Sequence, residues 1–158
     1  MEHTEPKKRV LIVDDDIAIS SHLKYFLELK GCEVETAATG REAIEKSARG
    51  VFDVALLDIK LPDMDGTELL TKLHDRTPKM IKIMVTGYPT LENAKVSIKM
   101  GADAYVLKPI NPNAFLKMWE EKTIERQSPS EVLTTTNLNR EWLADALKTD
   151  PTEKSGSQ

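Results

Sequence analysis

The sequence predicts an α/β fold, a five-stranded parallel sheet covered by helices on both faces. Three observations carry this. Short apolar runs alternate five times with amphipathic stretches, the pattern of repeated strand–helix units. The runs Val10-Leu11-Ile12-Val13 and Val54-Ala55-Leu56-Leu57 are continuously apolar, as strands buried on both faces are. Four runs end on a polar group: Asp14-Asp15-Asp16, Asp58, Thr86 and Lys108. In an open parallel sheet the C-terminal strand ends share one edge, and ligands bind along that edge.

The elements follow in order. Residues 1–8 are polar, carry Pro6, and are expected to form a flexible leader. The first strand spans about Arg9 to Val13. A helix follows from about Ile17 to Lys30, with Ile19, Leu23, Phe26 and Leu27 at helical spacing, Asp16 at the N-cap and Gly31 as its stop. Cys32 to Ala37 is a short edge strand. Thr39-Gly40-Arg41-Glu42 has capping-box spacing and opens a second helix that reaches about Arg49. The third strand ends at Asp58. The third helix begins near Gly66, with Asp65 and Glu68 as a second cap pair, Leu69, Leu70 and Leu73 as its inner face, and Pro78 closing it. A strand from Ile81 to Thr86 follows. Thr90 caps a fourth helix, Leu91 to Met100, which Gly101 ends. The fifth strand is Ala104 to Leu107. Asn111-Pro112 starts the fifth helix, with Pro at its favoured first position and Phe115, Trp119 and Thr123 along one face.

A domain over residues 9–126 is therefore expected. From about Gln127 the composition changes: nine of residues 127–158 are Ser or Thr, and Ser128-Pro129-Ser130 is a linker signal. Within this tail, Leu138, Trp142 and Ala146 recur at i, i+4, so residues 137–148 can form one short amphipathic helix. A helix that short is marginal alone in water.

Composition narrows the classes. The 158 residues are 40% hydrophobic and 30% charged, which permits a normal core and argues against global disorder. A net charge of -4 gives no support to direct nucleic-acid binding. No segment approaches the roughly 18 continuous apolar residues of a membrane span, so no membrane insertion is expected. The N-terminal residues lack the apolar middle of a secretory signal, which places the protein in the cytoplasm. Cys32 is the single cysteine, so no intrachain disulfide forms; it is expected as a small buried hydrophobe at a helix end.

The strand-end residues suggest chemistry. If the first strand lies beside the third, Asp14, Asp15 and Asp58 crowd one pocket. Like charges at close range repel, and a hard divalent cation relieves them. Magnesium suits such a site, since it takes oxygen ligands from few carboxylates and keeps several waters. The third acid, Asp16, has the plainer task of a helix cap. Asp58 ends the central strand before a tight loop, and a carboxylate there can attack phosphorus to form an acyl phosphate. Transfer then needs mainly positioning and counter-charge, which Lys108 and the Thr86 hydroxyl can supply. Pro109 fixes the backbone after Lys108 and permits a cis bond.

Together these residues resemble the receiver domain of two-component response regulators over about residues 9–126. The resemblance rests on Asp14-Asp15, on Asp58-x-x-Leu61-Pro62-x-x-x-Gly66, on Thr86-Gly87 and on Tyr105-x-x-Lys108-Pro109. It implies a doubly wound, flavodoxin-like sheet of strand order 2-1-3-4-5, which the general rule for such sheets itself illustrates with a receiver. It further implies Asp58 as phosphoacceptor, Asp15 as a direct Mg²⁺ ligand and Asp14 as one acting behind the ligands or through a water, with Lys60 lending its backbone carbonyl. Thr86 and Lys108 would contact phosphoryl oxygens, and Tyr105 would be the aromatic switch. The implied function is a phosphorylation-dependent switch. A sensor histidine kinase serves it, and it acts through the surface of the fourth helix, fifth strand and fifth helix on an unidentified protein target. Homodimers through the fourth-helix face are also a family expectation. Slow loss of the phosphate is expected, with Lys60 and Tyr88 flanking the site and Tyr88 shielding it.

Two other classes compete. A magnesium-dependent phosphatase with an aspartate nucleophile resembles Asp-x-Asp, whose second Asp is the acid–base; Lys60 stands there instead. A nucleotide or flavin binder would need a Gly-rich loop after the first strand, where three acids stand. Family members with an effector domain carry it C-terminally, so the chain is expected to be either a single-domain receiver or a fragment of a longer regulator.

Overall fold

A computed structural model of the chain describes residues 6–127. The tail expected beyond Gln127, its candidate helix 137–148, and residues 1–5 of the leader lie outside the described residues. The order is β1 (Arg9–Val13), α1 (Ile17–Leu29), β2 (Glu33–Ala37), α2 (Gly40–Arg49), β3 (Val54–Asp58), α3 (Gly66–Arg76), β4 (Ile81–Thr86), α4 (Leu91–Lys99), β5 (Ala104–Leu107) and α5 (Pro112–Gln127). The five strands form one parallel sheet in the order β2-β1-β3-β4-β5, as expected.

Alternate residues of the central strands feed two cores, because successive side chains leave a strand on opposite faces. Val10, Ile12, Leu56, Ile83 and Val85 pack with Leu23 and Leu27 of α1 and Phe115 and Trp119 of α5. Leu11, Val13, Ala55, Leu57 and Met84 pack with Ala43, Leu69, Leu70, Leu73 and Ala94 of α2, α3 and α4. Burial on both sides explains the unbroken apolar runs. Cys32 is buried in the first core.

Side-chain caps form at four helices, three of them at the expected Asp16, Thr39 and Thr90. Asp16 accepts from the Ile19 amide, Thr39 from Glu42 and Thr90 from Asn93, while Asn111 accepts from Asn113 and Ala114. Each satisfies donors that a helix start leaves free.

Two details differ from expectation. Asp65 makes no side-chain cap bond at α3; the Gly66 amide is bonded to the Ile59 carbonyl instead, and Glu68 pairs with Lys72. Pro78 closes α3 as expected: the helix stops at Arg76, because a residue preceding proline, here Thr77, is disfavoured in helical conformation. On α1, Ile19 and Phe26 are 45% and 39% exposed. The helix contacts the sheet along a narrow stripe through Leu23 and Leu27, and Phe26 packs edge-on against the rings of His22 and Tyr25 on the outer surface.

β4 also carries a fully buried Lys82, which the strand run does not announce. Its Nζ donates to the carbonyls of Thr77 and Met80 at 2.6 and 2.9 Å. Arg126 of α5 donates to Pro78 and Met80 carbonyls and grips Asp103 with two nitrogens. Burial pushes the Lys82 ammonium down to about 8; the Arg126 charge adds to this and Asp103 opposes it. In the unfolded chain the same group stays near 10.5, so between these values the unfolded state binds more protons and stability rises with pH. We expect Lys82→Met to lose that rise, worth about 3 kcal/mol at most. Denaturant titrations of both proteins at several pH values across that window check it, and parallel curves would contradict it.

Candidate functional site

The parallel register brings the C-terminal ends of β1, β3, β4 and β5 to one rim. β1 pairs with β3, which sets Asp14 and Asp15, just past Val13, beside Asp58, the last residue of β3. β3 pairs with β4 so that Asp58 lies opposite Val85, and Thr86 ends the neighbouring strand. Thr86 in turn lies opposite Leu107, and the Lys108 amide donates to the Thr86 carbonyl at 2.8 Å. The Lys108–Pro109 bond is cis.

Asp14, Asp15 and Asp58 each offer an oxygen, and these oxygens all lie within 4.8 Å of one another. Asp14 is buried, Asp58 half-buried and Asp15 exposed. The Lys108 Nζ lies 2.7 Å from Asp14 Oδ2 and 3.2 Å from Asp58 Oδ2. Asp14 Oδ1 accepts from the Asp16 amide at 2.9 Å. Burial pushes the Asp58 carboxyl above the usual range; Lys108 pulls it back by charge and hydrogen bond, Asp14 pushes it further up, and the Lys60 amide lowers it slightly. Burial alone would lower the Lys108 ammonium, but its hydrogen bonds and the charges of Asp14 and Asp58 together raise it.

The loop after β3 folds back on the strand. Leu61 donates to the Met64 carbonyl, and Lys60 and Asp65 form an antiparallel bridge. Gly66 is needed here: a Cβ would overlap the carbonyl oxygen of Asp58. Among the described residues, none of the loop's backbone bonds uses the Lys60 carbonyl. Three carboxylates make an all-oxygen donor set for a hard divalent cation, and Asp14, Asp15 and Asp58 fit such an ion.

Thr86 is buried, and its Oγ1 accepts from the Tyr88 amide at 3.0 Å. That bond occupies an oxygen lone pair and leaves the hydroxyl proton free to donate. Tyr105 on β5 is 2% exposed and packs in the core beneath α4. Burial raises its phenol, with the Thr90 amide opposing through a hydrogen bond. Tyr88 is 83% exposed beside the rim.

One residue of this region carried no separate expectation. Asp63 sits in the loop after β3, and its two oxygens accept from the amides of Gly40 and Arg41 at 2.8 and 2.9 Å. The available signal was an acid directly after Pro62, at the tip of a turn, with no partner of its own in sequence.

The comparisons agree with this geometry. The family model described as the response regulator receiver domain matches residues 10–120. Among curated proteins, the transcriptional regulatory protein SrrA of Staphylococcus aureus is 36% identical over 129 residues, covering 76% of this chain and 52% of that protein. The chain thus spans about half the length of the curated relatives it matches. A solved CheY-like receiver domain from Methanospirillum hungatei is 52% identical with a TM-score of 0.74, covering 78% of this chain and 99% of that one. A Burkholderia pseudomallei response regulator, solved with a phosphorylated aspartic acid, a calcium ion and citrate, is 27% identical with a TM-score of 0.71; the match covers 81% of this chain and 75% of that one.

Crowded carboxylates should strain the protein when no cation is bound. The raised Asp58 carboxyl means that its ionised form costs stability above the usual carboxylate pKa and costs nothing once both states are protonated. With chelator at neutral pH, Asp58→Asn is expected to be more stable than the parent protein. The gain should vanish in acid and shrink when a divalent cation stabilises the parent protein. Thermal unfolding with and without chelator measures this.

Proposed function

The chain belongs to the response regulator receiver family, and from that premise we propose that it is a switch thrown by phosphorylation of Asp58. The observation that carries the proposal is the placement of Asp58 at the end of the central strand, with Lys108 Nζ 3.2 Å away and two further carboxylates within 4.8 Å. The donor proposed is a phosphohistidine of a sensor histidine kinase. An Asp58 oxygen attacks phosphorus, the new O–P bond forms as the P–N bond breaks, and the imidazole leaves with a proton from solvent. Lys108 swings from Asp14 and Asp58 to a phosphoryl oxygen, and the free hydroxyl proton of Thr86 serves another. Mg²⁺ is the proposed ion, held by Asp15, Asp14, Asp58 and the Lys60 carbonyl, and it supplies charge neutralisation at the phosphoryl group.

The kinase face proposed is α1. Ile17, Tyr25 and Leu29 are 71%, 61% and 65% exposed, and a groove of about 530 Å³ lined by Ile19, His22, Leu23 and Ile110 opens onto Asp58 and Lys108. Exposed apolar side chains around a reactive group suit a transient protein partner. The output surface is α4, β5 and α5, where Ile98, Met100 and Leu107 are exposed. A phosphoryl group adds close to two negative charges and three acceptor oxygens, so Thr86 and Lys108 gain bonds in one arrangement and bias this surface through β4 and β5. Tyr105, already inside, would hold the shifted state. The target is a protein, and self-dephosphorylation is slow. Lys60, standing where an aspartate phosphatase carries its second Asp, supports a phosphoacceptor over an enzyme.

Two outcomes test this. Incubation with acetyl phosphate and Mg²⁺ should place acid-labile phosphate on the protein and none on Asp58→Asn; label retained in the variant would remove Asp58 from its role. Tyr88→Ala should lose phosphate several-fold faster, as followed by phosphoprotein electrophoresis, and an unchanged lifetime would end the shielding idea.

A further inference from the structure

The loop that carries the Lys60 carbonyl is clamped to a helix on the far side of the site. Residues 59–66 form a tight hairpin, closed at its base by Gly66 to Ile59, in its middle by the Lys60–Asp65 bridge, and at its tip by Leu61 to Met64. The tip rests on the start of α2. Asp63 spends both carboxylate oxygens there, one on the Gly40 amide and one on the Arg41 amide, at 2.8 and 2.9 Å. Met64 packs so closely over Gly40 that a Cβ at that position would overlap its side chain.

α2 does not need Asp63 to be capped in the ordinary sense. Thr39 Oγ1 already accepts from Glu42, the Thr39 carbonyl accepts from Ala43, and Glu42 reaches back to the Ala38 amide. Of the amides that a helix start leaves free, that of Glu42 is served by Thr39 Oγ1, and those of Gly40 and Arg41 take a carboxylate from another segment. The positive end of the helix favours that charge, and the two amides, Arg41 first, hold the Asp63 carboxyl below its usual range. A hairpin fixed at its base by β3 and at its tip by α2 has little freedom to tilt. Lys60 lies between those two fixed points.

We propose that Asp63 is a positioning residue for the cation site, fixing the Lys60 carbonyl by anchoring the hairpin tip to the Gly40 and Arg41 amides. The proposal rests on the divalent-ion reading of the rim above. Groups that orient metal ligands from behind typically change affinity by about 10- to 100-fold when removed.

The test compares Asp63→Ala, Asp63→Asn and Thr39→Ala with the parent protein, using Mg²⁺ titrations followed by amide NMR and Mn²⁺ titrations followed by electron paramagnetic resonance. Asp63→Ala is expected to weaken ion binding about ten-fold. Asp63→Asn, which keeps one acceptor and turns a donor toward the second amide, should fall between. Thr39→Ala removes a cap from the same helix without touching the hairpin, so it should lower thermal stability and leave ion affinity unchanged. Equal loss of affinity in Thr39→Ala and Asp63→Ala would reduce Asp63 to a helix-stabilising residue and overturn the proposal. So would unchanged affinity in Asp63→Ala with the parent binding normally. A parent protein that binds neither ion would instead overturn the reading of the rim itself.

Discussion

Repulsion among three carboxylates is the constraint around which this molecule is arranged. Asp14, Asp15 and Asp58 reach within 4.8 Å of one another at the rim, and one ammonium, Lys108, lies against two of them. The rim therefore keeps a surplus of two negative charges. Burial of Asp14 and Asp58 makes the surplus more costly than it would be in water. A dication cancels that surplus, and a phosphoryl group, being anionic, cannot approach until something does. Affinity for a cation and capacity to take phosphate are two consequences of one charge imbalance.

The sheet turns that local imbalance into a mechanical one. Lys108 is bound more closely to Asp14 than to Asp58, at 2.7 against 3.2 Å, so new charge on Asp58 competes for a cation already held elsewhere. The Lys108 backbone is tied to the Thr86 carbonyl, which makes the ends of β4 and β5 a single unit. In the switch proposed above, movement of either side chain toward a phosphoryl group would pull on both strands and on the core cluster that Tyr105 shares with Ala94 of α4. A densely packed core does not deform smoothly, so such a pull selects between arrangements.

Most of this was legible in the sequence because it follows from short-range rules. Apolar runs marked the five strands, and Thr39, Thr90, Asn111 and Asp16 announced their helices through side-chain chemistry within a few residues. The acids, the hydroxyl and the lysine were legible as a site because parallel topology sends all strand ends to one edge. What escaped were contacts between segments distant in sequence. Asp65 looked like a cap because it stood next to a helix start, while Asp63, two residues earlier, caps a helix that begins 23 positions before it. Ile19 and Phe26 had the spacing of core residues, but spacing does not tell how wide a stripe the sheet will cover. Lys82 lies inside the strand run with nothing in its sequence neighbourhood to announce burial, which depends on α5 and on the carbonyls of the loop before β4.

Lys82 also shows why a displaced pKa does not by itself mark function. β4 has a difficult charge near each end. At the start, the Lys82 ammonium is out of water, yet two carbonyls of its own neighbourhood accept from it and Arg126 and Asp103 close the network. That charge is served locally, in a place no ligand need reach. At the other end, Asp58 is displaced in the same way by burial, but its partners are shared, its neighbours are anionic, and its rim opens to solvent through Asp15. Surplus charge with access, not burial alone, separates a site that must take a ligand from a core that has merely accommodated an ion.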